Sequence, residues 1–158
     1  MYKLFLALLI VGNLGVFAKG IVSIKVYSVP FNNSYIIGIN KNEIRKNYDI
    51  GINIKNSEII SSLNIEQTVN NLKLSDSLNA NDFGDFRSFV KLKFAGGKIR
   101  KFYITSTGYI IEKNKVFDFN LEFLKLVYSF FPNNFRPYYQ IWATSRSSSL
   151  HNLNSTKR

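Results

Sequence analysis

A chain of 158 residues that is 46% hydrophobic and 20% charged fits one domain long enough to bury a core, which excludes disorder as the default reading. It holds no cysteine, so neither disulfides nor a cysteine-linked lipid belong to it, and a 15% aromatic share points to strands and a core of large rings. The formal net charge of +11 attracts polyanions, although a composition rich in Asn, Ile and Lys also follows from AT-rich codons without selection for charge.

Residues 1–18 carry the three parts of a secretory signal: Lys3 in a short basic start, an apolar stretch over 4–11, and helix-weakening Gly12 and Gly15 before Val16-Phe17-Ala18. Small residues at the last and third-last positions suit signal peptidase, so cleavage is expected after Ala18. An uncleaved anchor is the alternative, but 4–18 is shorter than the roughly 20 apolar residues of a span and contains Asn13. Cleavage would remove Lys3 and bring the net charge from +11 to +10. The expected organisation is this signal, a single α+β domain over 19–143 and a disordered Ser- and Asn-rich tail over 144–158.

The β-branched run 21–29 predicts a first strand, limited by Pro30. Asn32 and Asn33 suit a tight turn, after which Tyr35, Ile37 and Ile39 alternate, so a hairpin with 21–29 is expected. Tyr48, Ile50, Ile52 and Ile54 alternate with Asp49, Gly51, Asn53 and Lys55 as one face of a half-buried strand. Over 57–74, Ile59, Ile60 and Leu63 have helical spacing and Asn64 with Gln67 matches a capping box, which predicts one broken helix or two short ones. The polar 75–84 reads as a loop.

Phe86, Ser88, Val90, Leu92 and Phe94 alternate up to Gly96 and Gly97, and the chain returns over 99–106. A two-residue turn would pair Phe94 with Ile99, Lys93 with Arg100, Leu92 with Lys101, Lys91 with Phe102 and Val90 with Tyr103. That register puts Phe89, Phe102 and Ile104 at the base of one face, with Lys91, Lys93, Lys98 and Arg100 toward its tip. It also opposes Lys93 to Arg100, which is unfavourable by a few tenths of a kcal/mol or more. Either an anion sits there or a bulged three-residue turn separates them.

Gly108 restarts a strand over 109–112, 113–115 turn, and 116–119 pair back. Two periodicities compete next: Phe117, Phe119, Leu121 and Phe123 alternate with Asp118, Asn120 and Glu122 as in a strand, whereas from residue 121 the polar Glu122, Lys125 and Ser129 fall at helical spacing, Asn120 can cap and Pro132 ends the segment; the expectation taken is strand to Phe119 and helix over 121–131. Residues 138–143, with Trp142 partly buried, are expected as a last edge strand. The fold class is therefore α+β: an antiparallel sheet of about five to seven strands packed against a C-terminal helix, with a short helical segment in mid-chain.

Catalytic constellations are sparse. The only histidine, His151, falls in the tail, which leaves histidine-dependent triads and multi-histidine metal sites unsupported. Ser88 and Lys91 match a Ser-x-x-Lys spacing, but on a strand they point to opposite faces. Asn79, Asn81, Asp82, Gly84 and Asp85 suggest a calcium loop, yet Phe83 and Val90 stand where an oxygen ligand and a Glu are needed. No metal or cofactor is expected, and Asp82 with Asp85 is a bare carboxylate pair. The best candidate site is the basic hairpin face Lys91, Lys93, Lys98, Arg100 and Lys101, with Phe102 and Tyr103 as adjacent rings. Its plain alternative is a hairpin tip kept soluble by lysines.

These features lead to an expected function as an exported small binding protein of a bacterial envelope or exterior, secreted or periplasmic and more consistent with a non-enzyme. It would be an inhibitor or immunity-type partner of another protein, or a binder of an anionic polymer; its basic face would meet anionic lipid, wall polymer or an acidic protein, with nucleic acid the lesser candidate and no transmembrane anchor after cleavage. The alternatives are an enzyme using Asp82 or Asp85 with nearby cations on an anionic polymer, and a subunit of a surface assembly. A cleft joining those carboxylates to the basic face would mark the enzyme.

Overall fold

The computed structural model describes residues 20–29, 38–55, 57–61, 63–137 and 139. The expected signal, the turn and strand expected over 32–37 and the expected tail lie outside them. Alternating β-branched and aromatic residues build β1 (Ile21–Ser28), β2 (Ile50–Ile54), β3 (Phe86–Phe94), β4 (Ile99–Thr105), β5 (Ile110–Glu112) and β6 (Lys115–Phe117). Among the described residues these form one antiparallel sheet in the order β2-β1-β3-β4-β5-β6. With helices α1 (Ser57–Ser61), α2 (Ile65–Asn70) and α3 (Leu121–Ser129) the architecture is α+β, as the sequence pattern predicts.

The expected pairing of 21–29 with 35–39 is replaced by long-range partners. From Ile24 to Ser28, β2 occupies one edge of β1 and β3 the other, which leaves no edge there for a third strand. Each partner adds a row to the same core: Ile24 and Val26 stand between Ile54 and Leu92, and between Ile52 and Val90. Tyr48 also departs from expectation. Ile50, Ile52 and Ile54 face the helices, whereas the Tyr48 ring lies against Tyr27 on the opposite side, directly over Gly51. Any Cβ at Gly51 would collide with that ring.

One face of the sheet packs Ile24, Val26, Val90, Leu92, Phe102, Ile104 and Ile110 against Ile60, Ile65, Val69, Phe123, Leu124 and Val127 of the helices. The Asn120 side chain caps α3 by accepting the Phe123 N–H at 2.9 Å, and Glu122, Lys125 and Ser129 form its exposed stripe. The helix stops two residues before the expected boundary, because Pro132 disfavours helical backbone in the residue before it. At α2 the capping box does not form. Asn64 occupies the N-cap position without a side-chain cap, and its carbonyl accepts the Thr68 N–H and hydroxyl at 2.9 and 2.8 Å.

Arg136, Pro137 and Tyr139 have helical backbone, so Tyr139 is not in the expected edge strand, and the rest of that segment lies outside the described residues. The buried Tyr139 hydroxyl donates to the Val29 carbonyl at 3.1 Å and lies 3.1 Å from the Ser28 hydroxyl, which is itself 2.7 Å from that of Ser88. This buried polar chain ties the C-terminal segment to the seam between β1 and β3.

The β3–β4 register differs by one residue from the two-residue-turn expectation: Lys93 pairs with Ile99, Leu92 with Arg100, Lys91 with Lys101, Val90 with Phe102 and Phe89 with Tyr103. The Phe94 N–H donates to the Lys98 carbonyl and the Gly97 N–H to the Phe94 carbonyl, both at 2.9 Å, enclosing a three-residue loop of Ala95, Gly96 and Gly97. Gly97 closes it at φ 81°, the left-handed position such a loop requires. Gly97→Ala should therefore lower stability by about 1–2 kcal/mol. Gly96→Ala should change it little, since space there is open and φ is not positive. Urea unfolding of the two variants checks the contrast.

Candidate functional site

Neighbouring strands lie about 4.8 Å apart and side chains alternate between faces, so the register decides which cations stand together. On the face opposite the helices, Lys25 of β1 pairs with Lys91 of β3, and Lys91 pairs with Lys101 of β4. The three lysines are abreast in one row, and Asn53 of β2 extends it beyond Lys25. One step toward the hairpin tip, Ser23, Lys93 and Ile99 make the next row. Lys55, just past β2, completes the group. Val22, Ser23, Lys25, Lys55, Lys91 and Lys93 line an open hollow of about 360 Å³ with no acidic side chain in its wall. Lys93 and Lys101 are exposed and Lys25 and Lys91 half-buried. Each directly opposed lysine pair costs a few tenths of a kcal/mol in the absence of an anion.

One step the other way runs an aromatic row. Tyr48 contacts Tyr27 at a centroid distance of 4.6 Å, Tyr27 stacks on Phe89 at 6.0 Å, Phe89 meets Tyr103 at 5.0 Å and Tyr103 meets Phe86 at 5.7 Å. Residues 38–47 fold over it. Ile39 and Ile44 are buried with Phe86, Phe89, Ile111 and Val116 in a second, smaller core. The Arg45 guanidinium sits 5.6 Å from the Phe89 ring, and the Lys41 ammonium 5.3 Å from Phe86. This loop covers the far half of the face, and the lysine half is left to solvent.

Strand direction segregates charge along the molecule. β2, β3 and β5 run toward the hairpin tip and the others away, which gathers Lys25, Lys55, Lys91, Lys93, Lys98, Lys101, Lys113 and Lys115 into the tip half. The only acid within the described strands, Glu112, is held by a bidentate pair with Arg100 at 2.7 and 2.8 Å. Asp49, Asp85 and Asp118 lie just beyond the opposite ends of β2, β3 and β6.

Of the residues the sequence proposed, Lys91, Lys93 and Lys101 share this face and Lys98, Arg100 and Phe102 do not. Phe102 is fully buried on the helix side, 5.4 Å from Phe123, with the Arg100 guanidinium 4.8 Å above it. Arg100 is engaged with Glu112, and Lys98 lies 5.9 Å from the Phe94 ring at the tip. The one-residue register difference is the cause, since it exchanges the faces of every residue on β4 relative to β3. Lys25 and Lys55 escaped sequence reasoning because their strands reach β3 only through long-range pairing. The available signal was that Lys25 alternates with the apolar Ile24 and Val26, and so faces away from the core. Phe102→Ala should destabilise the fold by about 3–5 kcal/mol in denaturant unfolding, the behaviour of a core residue.

The carboxylates stand elsewhere. Asp85 precedes Lys91 by six residues on an extended chain, about 20 Å, and it accepts from Arg87 at 2.8 and 3.2 Å and from the Ile39 N–H at 3.2 Å. Asp82 is exposed in a single 3-10 turn, Ala80–Asp82, which Asn79 caps by accepting the Asn81 N–H at 3.0 Å. Among the described residues no group of three or more potential metal-binding side chains occurs. Burial raises the Asp85 pKa, but hydrogen bonds from Arg87, Ser106 and Ile39 outweigh burial and hold it below the ordinary 3.8. A depressed carboxylate contributes stability that is present above its unfolded value and lost as pH falls through the folded one. Asp85→Asn should thus cost stability at neutral pH, and the deficit relative to the parent should shrink below about pH 4 in urea unfolding across pH.

Comparison with protein-family models, with curated proteins and with solved structures finds no match for this chain.

Proposed function

We propose that the protein is an exported, non-enzymatic binding protein that holds an anionic partner on the lysine face of its sheet. The observation that carries this reading is the row Lys25, Lys91 and Lys101, three cations at directly opposed positions on adjacent strands. Such a row is unfavourable in isolation and becomes favourable once a counter-anion lies across it. It rests on paired strands rather than on a loop, so the backbone positions from which the three lysines project are fixed. Export rests on the tripartite character of residues 1–18. Binding is favoured over hydrolysis because Asp85 is engaged with Arg87 about 20 Å from the lysines.

The test separates this face from bulk charge. A variant with Lys25→Ser, Lys91→Ser, Lys93→Ser and Lys101→Ser is compared with one of equal net charge carrying Lys46→Ser, Lys73→Ser, Lys98→Ser and Lys115→Ser, all exposed elsewhere. On immobilised polyphosphate and acidic polypeptide, the first should elute at far lower salt than the parent and the second close to it. Excess polyphosphate should raise the melting temperature of the parent and of the second variant only. Coincident elution of the two variants would reduce the binding to net charge and end the reading.

A further inference from the structure

We infer that the anionic partner is a bilayer containing anionic phospholipid, against which the protein docks with the tip half of its lysine face. This inference rests on the lysine-face reading and adds a second requirement, an apolar contact. Among the described residues the exposed large hydrophobics are Val22, Tyr48, Ile59, Leu74 and Ile99. Val22 lines the hollow with the lysines, Ile99 pairs with Lys93 in the outer lysine row, and Tyr48 borders the aromatic row of the same face. Three of the five thus share one face with the cations. A soluble phosphate polymer offers nothing to bury Val22 and Ile99, whereas the boundary between headgroups and acyl chains accepts apolar groups beneath a layer of phosphates.

The cations of this half of the face are compatible with such a surface. On this half of the face they are all lysines, compact charges on flexible stems that suit a fluid plane of phosphates. The described arginines Arg100, Arg87 and Arg45 are engaged elsewhere, with Glu112, with Asp85 and over Phe89. Asp49, Asp85 and Asp118 stand at the opposite ends of their strands, away from the lysine rows. No helix among the described residues is long and apolar enough to cross a membrane. Each lysine brought to such a surface adds about fivefold in affinity.

The experiment is co-sedimentation of the chain from Lys19 onward, as the expected cleavage after Ala18 leaves it, with phosphatidylcholine vesicles, with and without phosphatidylglycerol, beside binding of soluble polyphosphate. Three proteins are compared: the parent, the Lys25→Ser, Lys91→Ser, Lys93→Ser, Lys101→Ser variant, and a Val22→Ser, Ile99→Ser variant. Both apolar positions are exposed, and thermal melts establish that each variant is folded. The parent should bind only phosphatidylglycerol vesicles, and more weakly as salt rises. The apolar variant should lose about tenfold in vesicle affinity while binding polyphosphate as the parent does. The lysine variant should lose both. A parent that binds polyphosphate or an acidic polypeptide but not vesicles, or an apolar variant that binds vesicles like the parent, overturns the bilayer and leaves the lysine face standing. A parent that binds none of them overturns both.

Discussion

The closure of the β3–β4 hairpin by three residues rather than two is the constraint on which the remaining arrangement depends. With Gly97 in the left-handed region, Phe94 opposes Lys98, and every later residue of β4 takes its face from that pairing. Phe102 and Ile104 then enter the helix-side core with Val90 and Leu92, while Lys101 and Tyr103 turn to the other side. The same parity delivers Arg100 to Glu112 on β5, so the one acid of the strands and the one arginine of β4 neutralise each other away from the lysines.

β1 is the second determinant, because it joins two distant parts of the chain. Its partners β2 and β3 are parallel to each other across it, and the connection between them crosses the helix side through α1 and α2. The seam is closed by the chain of hydroxyls from Ser28 to Ser88 and Tyr139, which satisfies buried polar groups in a layer that is otherwise apolar. A buried polar group is tolerated where its partners are present, and here they come from β1, β3 and the segment after α3.

The far side of the sheet is divided between packing and solvent. Residues 38–47 bury Ile39 and Ile44 over Phe86 and Phe89, and Lys41 and Arg45 cover the rings that remain. Beyond Tyr27 and Tyr103 the covering ends and the lysine rows begin. Cations at that boundary keep an otherwise apolar strand face in water, and they are also the feature through which it would meet an anionic surface.

Local pattern alone determined much of this. The α+β class, the hairpin over 86–105, the short strands about Lys113, two short helices after residue 57 and a capped helix from Leu121 all follow from alternation of period two, helical spacing and capping residues, which are properties of neighbours in sequence. The lysines of β3 were legible as a group for the same reason. Tertiary structure decided what neighbours cannot: the turn length that gave β4 its parity, the pairing of β1 with β2 and β3 in place of 35–39, and the departure of Tyr48 from the face of Ile50. Each depends on which residues the whole core buries. A shift of one residue in a strand costs nothing in local propensity yet exchanges its two faces, so Phe102 and Arg100 left the candidate site and Lys25 and Lys55 entered it.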